Sequence, residues 1–472
     1  MWRCTMRRIS KHLKGILAAI VIVSQLFVTN VYATDINSID TRSEVKPEEM
    51  EEIEKAAADA YHMEVYSNTW NEWPEGPKTY GEAGIIMDAE SGAILYAKNI
   101  DGKSYPASIT KILTLLIALE NGKMDDTVTI SEEAMECVRS GYAHIGLQLG
   151  EKISLEDALY ALMLASANEA AQGIADSVGE NSEWFFEEMN RRTKELGGNN
   201  SNFVNPNGME NPEHYTTARD MALITRELLL KHPEFEQICQ TVQHVIDGTN
   251  LTSEQRVFQQ KHQMFIEGSE YFNPNVIAGK TGYTDLAKNT LVTCAEKNGM
   301  KLICVVLKTH GRNVYTDTQK LLDYGFDNFE KIQIDTNETS KEIVGFEKEA
   351  YAVAPKGVTF EDLSLQIKRV EEDKNKAKAI YTYNDVVVGE FDVTVDESFE
   401  NEKEEENEPA SDTMSLKEII KYVLIACTAL LFILIIILIR VILKQRKRRK
   451  ERERRRRMRK QREMESRRRR NR

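Results

Sequence analysis

Strand signatures stand at both ends of a long helical stretch, and this order constrains the fold more than any other feature of the chain. Ala83 to Asp88 and Ala93 to Lys98 are apolar runs flanking Glu90-Ser91-Gly92, a hairpin signature. From Ser108 to Glu120 the pattern turns apolar and helical, and residues 131–230 read as mostly helices, one of them starting at Ser154 with Asp157. Strands return at Val276 to Ala278, Thr290 to Ala295 and Leu302 to Lys308, followed by a helix from Thr316 to Tyr324. One α/β sandwich, with a sheet drawing strands from both ends of the sequence, accommodates this order. Residues 335–399 are different. Val386 to Val395 alternates after Asn384-Asp385, which predicts a small β-rich domain. Residues 400–416 are an acidic linker, and no internal repeat occurs.

Charge divides the 472-residue chain unevenly. Arg440 to Arg472 holds 20 Lys/Arg against 4 Asp/Glu, so this tail carries +16 and the remainder −29 of a formal −13. At the N-terminus a basic cluster (Arg3, Arg7, Arg8, Lys11, Lys14) precedes an apolar run from Gly15 to Thr29, and Val31-Tyr32-Ala33 offers small residues for cleavage. Residues 1–33 are expected to be a secretory signal; retained as an anchor, they would equally leave the rest exported. Residues 34–78 form an acidic extracytoplasmic leader with a helix near Pro47 to Tyr61. The apolar run within 417–443 is long enough to span a bilayer, and the basic residues 444–472 place its far side in the cytoplasm. The expected product is a single-pass cell-membrane protein with its bulk outside. The tail sets topology and touches anionic lipid, and no nucleic-acid partner is expected.

Four cysteines, Cys137, Cys239, Cys294 and Cys304, lie between the two apolar runs, without CxxC or Cys/His metal spacing. Asn298-Gly299 is a two-residue hairpin turn. In that register 294 faces 303 and 293 faces 304, so Cys294 and Cys304 point to opposite faces and cannot bond. Free, buried, structural cysteines are expected.

Three short motifs follow in order. Ser108-Ile109-Thr110-Lys111 sets a hydroxyl and an amine three apart on one helical face, near a helix N-terminus that favours developing negative charge. A serine needs a base, and a lysine buried beside it becomes one as desolvation lowers its pKa. Ser166-Ala167-Asn168 adds a second hydroxyl for proton transfer and an amide for lysine and substrate. Lys280-Thr281-Gly282 offers an ammonium and hydroxyl for a carboxylate, and a glycine that lets backbone approach. Tyr283 could give its backbone N–H, with that of Ser108, to an oxyanion hole.

The order S-x-x-K, S-x-N, K-T-G is a signature of class A β-lactamases and penicillin-binding proteins. Its surroundings narrow the resemblance. Pro106 to Lys111 (PASITK), Ala165 to Ala171 (ASANEAA, with Glu169 for the usual Asp), Phe203 to Gly208 (FVNPNG), Thr217 to Ala222 (TARDMA) and Gly279 to Asp285 (GKTGYTD) resemble boxes of the D-alanyl-D-alanine carboxypeptidases, the low-molecular-mass penicillin-binding proteins. The resemblance spans roughly residues 80–330. It implies an α/β (α+β) sandwich of the penicillin-binding protein and serine β-lactamase type with a helical subdomain, over residues 79–334, followed by the β-rich domain. It implies removal of the terminal D-alanine from peptidoglycan stem peptides through an acyl-enzyme, inhibition by β-lactams, and no metal or organic cofactor. Carried over by position, Ser108 is the nucleophile, Lys111 its base, and Ser166 a proton-transfer group. Asn168, Lys280, Thr281, Gly282 and Tyr283 bind substrate.

Some features depart from this pattern. The chain has an apolar span where many relatives carry an amphipathic helix, and Ser253 to Glu270 is unusually polar. Arg312 reads as a surface arginine or an aid to carboxylate binding. A β-lactamase is disfavoured, because no E-x-x-L-N run lies between Asn168 and Lys280. A D,D-endopeptidase cutting cross-links, or a non-catalytic wall-binding or sensory protein, remain the alternatives.

Overall fold

The computed structural model describes residues 47–310, 313–334, 340, 342–346, 350–369 and 375–396. The signal, the apolar run within 417–443, the basic tail, Gly311 and Arg312 lie outside the described residues. Among the described residues no helix is long and apolar enough to cross a membrane.

Helix α1 (Pro47–His62) and a 3-10 turn lead into strands β1 (Ala83–Asp88) and β2 (Ile94–Lys98). The leader is therefore not a free arm where it is described. Lys98 Nζ, itself buried, donates to Ala60 O and Thr79 O, each at 2.7 Å, and Trp73 Nε1 donates to Leu95 O at 2.9 Å. A buried ammonium needs such acceptors, and here they tie the leader to β2.

The helical middle follows: α2 (Lys111–Asn121), β3 (Thr127–Thr129), α3 (Glu132–Glu136), β4 (Lys152–Ser154), α4 (Leu155–Tyr160), α5 (Asn168–Ser177), α6 (Ser182–Glu195), α7 (Ala218–Lys231) and α8 (Glu234–Gln240). Ser154 caps α4 as its spacing predicts: its Oγ accepts from Asp157 N at 3.1 Å and donates to Asp157 Oδ2 at 2.8 Å. Two short pairs interrupt the helices, β3 with β4, and β5 (Gln243–Ile246) with β6 (Arg256–Gln259). The second pair and the turns after it occupy the polar stretch Ser253 to Glu270.

Strands β7 (Val276–Thr284), β8 (Lys288–Lys297) and β9 (Met300–Thr309) complete one antiparallel sheet of order β2-β1-β9-β8-β7. β1 pairs with β9, joining the two ends of the helical stretch in one sheet. Cys294 faces Ile303 and Thr293 faces Cys304, the register that the Asn298-Gly299 turn demands. Helices α7 and α9 (Asn313–Asn328) pack on the sheet. β1 is buried along its whole length because it is covered on both faces. β7 forms the sheet edge, and it runs straight through Lys280-Thr281-Gly282 rather than ending before it.

β10 (Phe329–Gln333) pairs with β12 (Tyr351–Pro355), so a boundary drawn at 334 cuts a strand pair. β11 (Ile343–Phe346), β13 (Ser364–Arg369), β14 (Lys376–Tyr383) and β15 (Val386–Val395) form a second sheet, with Asn384 and Asp385 in the left-handed conformation of a tight hairpin turn. It leans on the first sheet through Glu390 N to Ser91 O at 3.0 Å.

Candidate active site

Ser108 does not open an α-helix. Ala107–Thr110 is a 3-10 turn that feeds α2 at Lys111. With three residues per turn, positions i and i+3 eclipse, so Ser108 and Lys111 stand in line. Lys111 Nζ lies 3.0 Å from Ser108 Oγ, 2.8 Å from Asn168 Oδ1 and 2.8 Å from Asn207 O. Burial pulls the Lys111 pKa well below the ordinary lysine value, and the charge of Lys280 adds to the effect. A neutral amine has two N–H donors and one lone pair. The amide and carbonyl oxygens take the donors, which leaves the lone pair for the serine hydroxyl.

Ser166 follows a π-turn, Ala161–Ala165, in the left-handed conformation (φ 61°, ψ 31°). π-turns inside helices are frequent at functional sites. Its Oγ is buried, lines the cleft and has no hydrogen-bond partner among the described residues. An orphan hydroxyl facing a cleft is a group held ready for a ligand. The neighbouring Asn168 donates its backbone N–H to Ala143 O at 2.9 Å, and Glu169 Oε1 accepts from Ile145 N and Gly146 N. Both hold the loop before β4, whose Ser140 to Ala143 form one wall of the cleft.

The opposite wall is β7. Lys280, Thr281 and Gly282 pair with Val292, Leu291 and Thr290 of β8, leaving the outer edge of β7 toward the cleft. Such an edge can take an extended peptide as an added strand. Lys280 is buried and donates to Thr281 O at 2.9 Å. Burial, then Lys261, pulls its pKa down to about 7. Gly282 is required by contact: a Cβ there would lie 2.4 Å from Thr290 Oγ1 and 2.9 Å from the backbone N of Ser108. Tyr283 is exposed at the cleft mouth and donates to Asp285 Oδ1 at 3.3 Å. The cleft encloses about 450 Å³.

The structure thus lines one cavity with Ser108, Ser166, Asn168, Thr281, Gly282 and Tyr283, and buries Lys111 against Ser108 and Asn168 and Lys280 beside Thr281. Two further residues, Lys261 and Asn207, line the same cavity. Lys261 lines the cleft beside Lys280. Asn207 offers its carbonyl to Lys111 and its Nδ2 to Cys137 Sγ at 3.4 Å. Cys137 is therefore half-exposed at the site rather than a buried structural thiol, whereas Cys239, Cys294 and Cys304 are buried and free. His214, one turn of sequence before the TARDMA box, is buried behind the turn that carries Ser108 and bonds Thr110 Oγ1 at 2.9 Å. The Phe203-to-Gly208 box pointed toward Asn207, but nothing in the sequence marked a lone lysine or histidine as part of the site. Among the described residues no cluster of side chains could hold a metal ion.

A mixed sheet-and-helix sandwich, with a serine and a buried lysine facing an edge strand, defines the penicillin-binding protein fold. Penicillin binding protein 5 from Haemophilus influenzae superposes with a TM-score of 0.55 at 25% identity, over 68% of this chain and 98% of that one. The Streptomyces K15 DD-transpeptidase gives 0.50 at 27% identity, over 54% of this chain and all of that one. The chain belongs to the D-alanyl-D-alanine carboxypeptidase family, whose model matches residues 72–311. It is 32% identical over 255 residues to D-alanyl-D-alanine carboxypeptidase DacF of Bacillus subtilis, covering 53% of this chain and 63% of that protein. It is 33% identical over 276 residues to DacA of Haemophilus influenzae, covering 57% of this chain and 66% of that protein. The match spans less than two-thirds of either relative.

Proposed function

We propose that this chain is a serine D-Ala-D-Ala carboxypeptidase that removes the terminal D-alanine from peptidoglycan stem peptides and is acylated by β-lactams. The observation that carries the reading is the three-way setting of Lys111 Nζ between Ser108 Oγ, Asn168 Oδ1 and Asn207 O. The substrate lies along the β7 edge, its terminal carboxylate at Lys280 and Thr281. Neutral Lys111 takes the Ser108 proton as Oγ attacks the carbonyl of the penultimate D-alanine. The backbone N–H groups of Ser108 and Tyr283 receive the oxyanion. The proton passes from Lys111 through Ser166 Oγ to the departing D-alanine nitrogen as the C–N bond breaks. Water then gives a proton to Lys111 and its hydroxyl to the acyl carbon; the acyl C–Oγ bond breaks and Lys111 returns that proton to Ser108 Oγ, freeing the shortened peptide.

We further place the domain of residues 79–334 and the β-rich part outside the cell membrane. The N-terminal signal pattern, the apolar run within 417–443 and the basic residues 444–472 support a single span with the tail in the cytoplasm and anionic lipid as its neighbour.

The test is D-alanine release from a pentapeptide ending in D-Ala-D-Ala by the detergent-solubilised full chain. Release that stops with penicillin and is absent in Ser108→Ala is the expected result. Penicillin labelling of Ser108→Ala would overturn it, and labelling of the unaltered chain without release would move the activity to cross-link cleavage.

A further inference from the structure

We propose that His214 is a positioning residue that fixes the nucleophile by clamping Ala107, through Thr110, in a left-handed conformation. Ala107 immediately precedes Ser108 and has φ +51°, a region that a residue with a Cβ enters only at a cost. Its conformation decides where the Ser108 side chain and backbone N–H point.

Several contacts hold it. Thr110 Oγ1 donates to Ala107 O at 2.9 Å. A hydroxyl has one proton, so the 2.9 Å bond between Thr110 Oγ1 and His214 Nε2 must run from the ring N–H to the oxygen. His214 Nδ1 is then bare and accepts from Val204 N at 3.1 Å. The neighbours dictate one tautomer, which requires the ring to stay neutral. Burial, then the charge of Lys111, lowers its pKa to about 3 and keeps it so. Phe203 packs edge-on against the ring at 5.5 Å. From the other side Gly208 closes on the same carbonyl: a Cβ there would lie 1.8 Å from Ala107 O. One residue earlier, Thr290 Oγ1 of β8 donates to Pro106 O at 2.8 Å. The histidine touches neither the cleft nor any reacting atom; it acts through Thr110.

The inference rests on Ser108 being the nucleophile. It is tested by the second-order rate of acylation of the full chain by a fluorescent penicillin. Thr110→Val keeps the shape and removes the hydroxyl, and should slow acylation about tenfold, the size of the strain it leaves unopposed. His214→Gln retains one acceptor and one donor and should stay within about threefold, while His214→Leu should fall with Thr110→Val. The deciding arm uses Ala107→Gly, in which a left-handed φ carries no Cβ penalty. There Thr110→Val should cost less than about threefold, a coupling that a double-mutant cycle isolates. A merely structural role would lower the melting temperature and slow acylation equally in both backgrounds, and equal slowing overturns the proposal. So does a Thr110→Val protein that acylates normally. Ser108→Ala that still labels takes down the catalytic reading with it, whereas loss of label in Ser108→Ala beside an unaffected Thr110→Val strikes this inference alone.

Discussion

Gly282 sits against the backbone of Ser108: a Cβ built on it would lie 2.9 Å from Ser108 N and 2.4 Å from Thr290 Oγ1. Both obstacles are rigid parts of the site. Gly282→Ala must push β7 away from the turn that carries Ser108, spoiling the alignment of backbone donors proposed for the oxyanion. Acylation by penicillin should fall roughly a hundredfold or more, the loss typical of a missing oxyanion donor. Stopped-flow or gel-based labelling rates check this; a variant that acylates like the parent would remove Gly282 from the catalytic frame.

The pH dependence of substrate affinity should follow Lys280, whose pKa lies at about 7. Below that value the side chain is an ammonium and can pair with a carboxylate; above it the charge is gone. KM for a D-Ala-D-Ala peptide should therefore rise about tenfold from about pH 6 to about pH 8, the charge falling by that factor across the midpoint. Lys280→Arg keeps its charge throughout and should flatten the rise. A KM indifferent to pH in the unaltered enzyme contradicts the assignment. Lys111 works in the opposite sense: its depressed pKa leaves more neutral base as pH rises, so the acylation rate should climb while affinity drops.

Ser166→Ala should separate activity from stability. Its Oγ has no partner among the described residues, so removing it orphans nothing. Denaturation midpoints should change by less than about 1 kcal/mol. Turnover should drop roughly a hundred- to ten-thousandfold, the range for a lost proton-transfer group. Equal losses in stability and turnover would assign the hydroxyl to packing.

Glu151 ties the β5–β6 hairpin to the loop that walls the cleft. It accepts from Gln148 N, Thr249 Oγ1 and Arg256, the last through both oxygens, at 2.6 and 2.9 Å. Burial pushes its carboxyl up, but the bonds from Thr249, Arg256 and Gln148 together hold it below its ordinary value of 4.5. The unfolded chain then binds more protons in that acid window, so this part of the stability is complete above it and is lost as pH falls through the folded value. Glu151→Gln should cost about 1.5 to 3 kcal/mol near neutrality, a hydrogen-bonded charge being lost. The gap between the two proteins, measured by urea denaturation, should narrow as pH drops below about 4. A constant gap would point to a steric effect.

What could be read in advance divides along physical lines. Local rules gave the Cys294–Ile303 register, because an Asn-Gly turn of two residues leaves no freedom in pairing. They also gave the Ser154 cap, a contact within one turn of chain. The boxes led to six residues that line the cleft and to the buried Lys111 and Lys280 beside them. What stayed hidden depends on distant partners. His214 is part of the site only because its two nitrogens meet Thr110 and Val204, and Lys261 only because a long loop returns to Lys280. Helical periodicity suggested an α-helix at Ser108, where tertiary contacts at Pro106 and Ala107 impose a 3-10 turn. The glycines of GKTG disguised a strand, since their weak strand preference is overridden by the need for close backbone approach.

The pairing of β1 with β9 has a consequence for how the molecule comes into being. Ala83 to Asp88 is synthesised early, yet its inner neighbour, Met300 to Thr309, is not made until most of the body already exists. Until then the hairpin displays an unzipped flank of bare amides and carbonyls. Ser108 likewise waits for β7, the opposite wall of the cavity. Contacts so remote in sequence slow the final collapse and leave the nascent chain open to mispairing. The last strand to arrive closes the sheet and completes the cleft in one event, so a chain interrupted before residue 300 would hold Ser108 on its turn with no finished cleft around it.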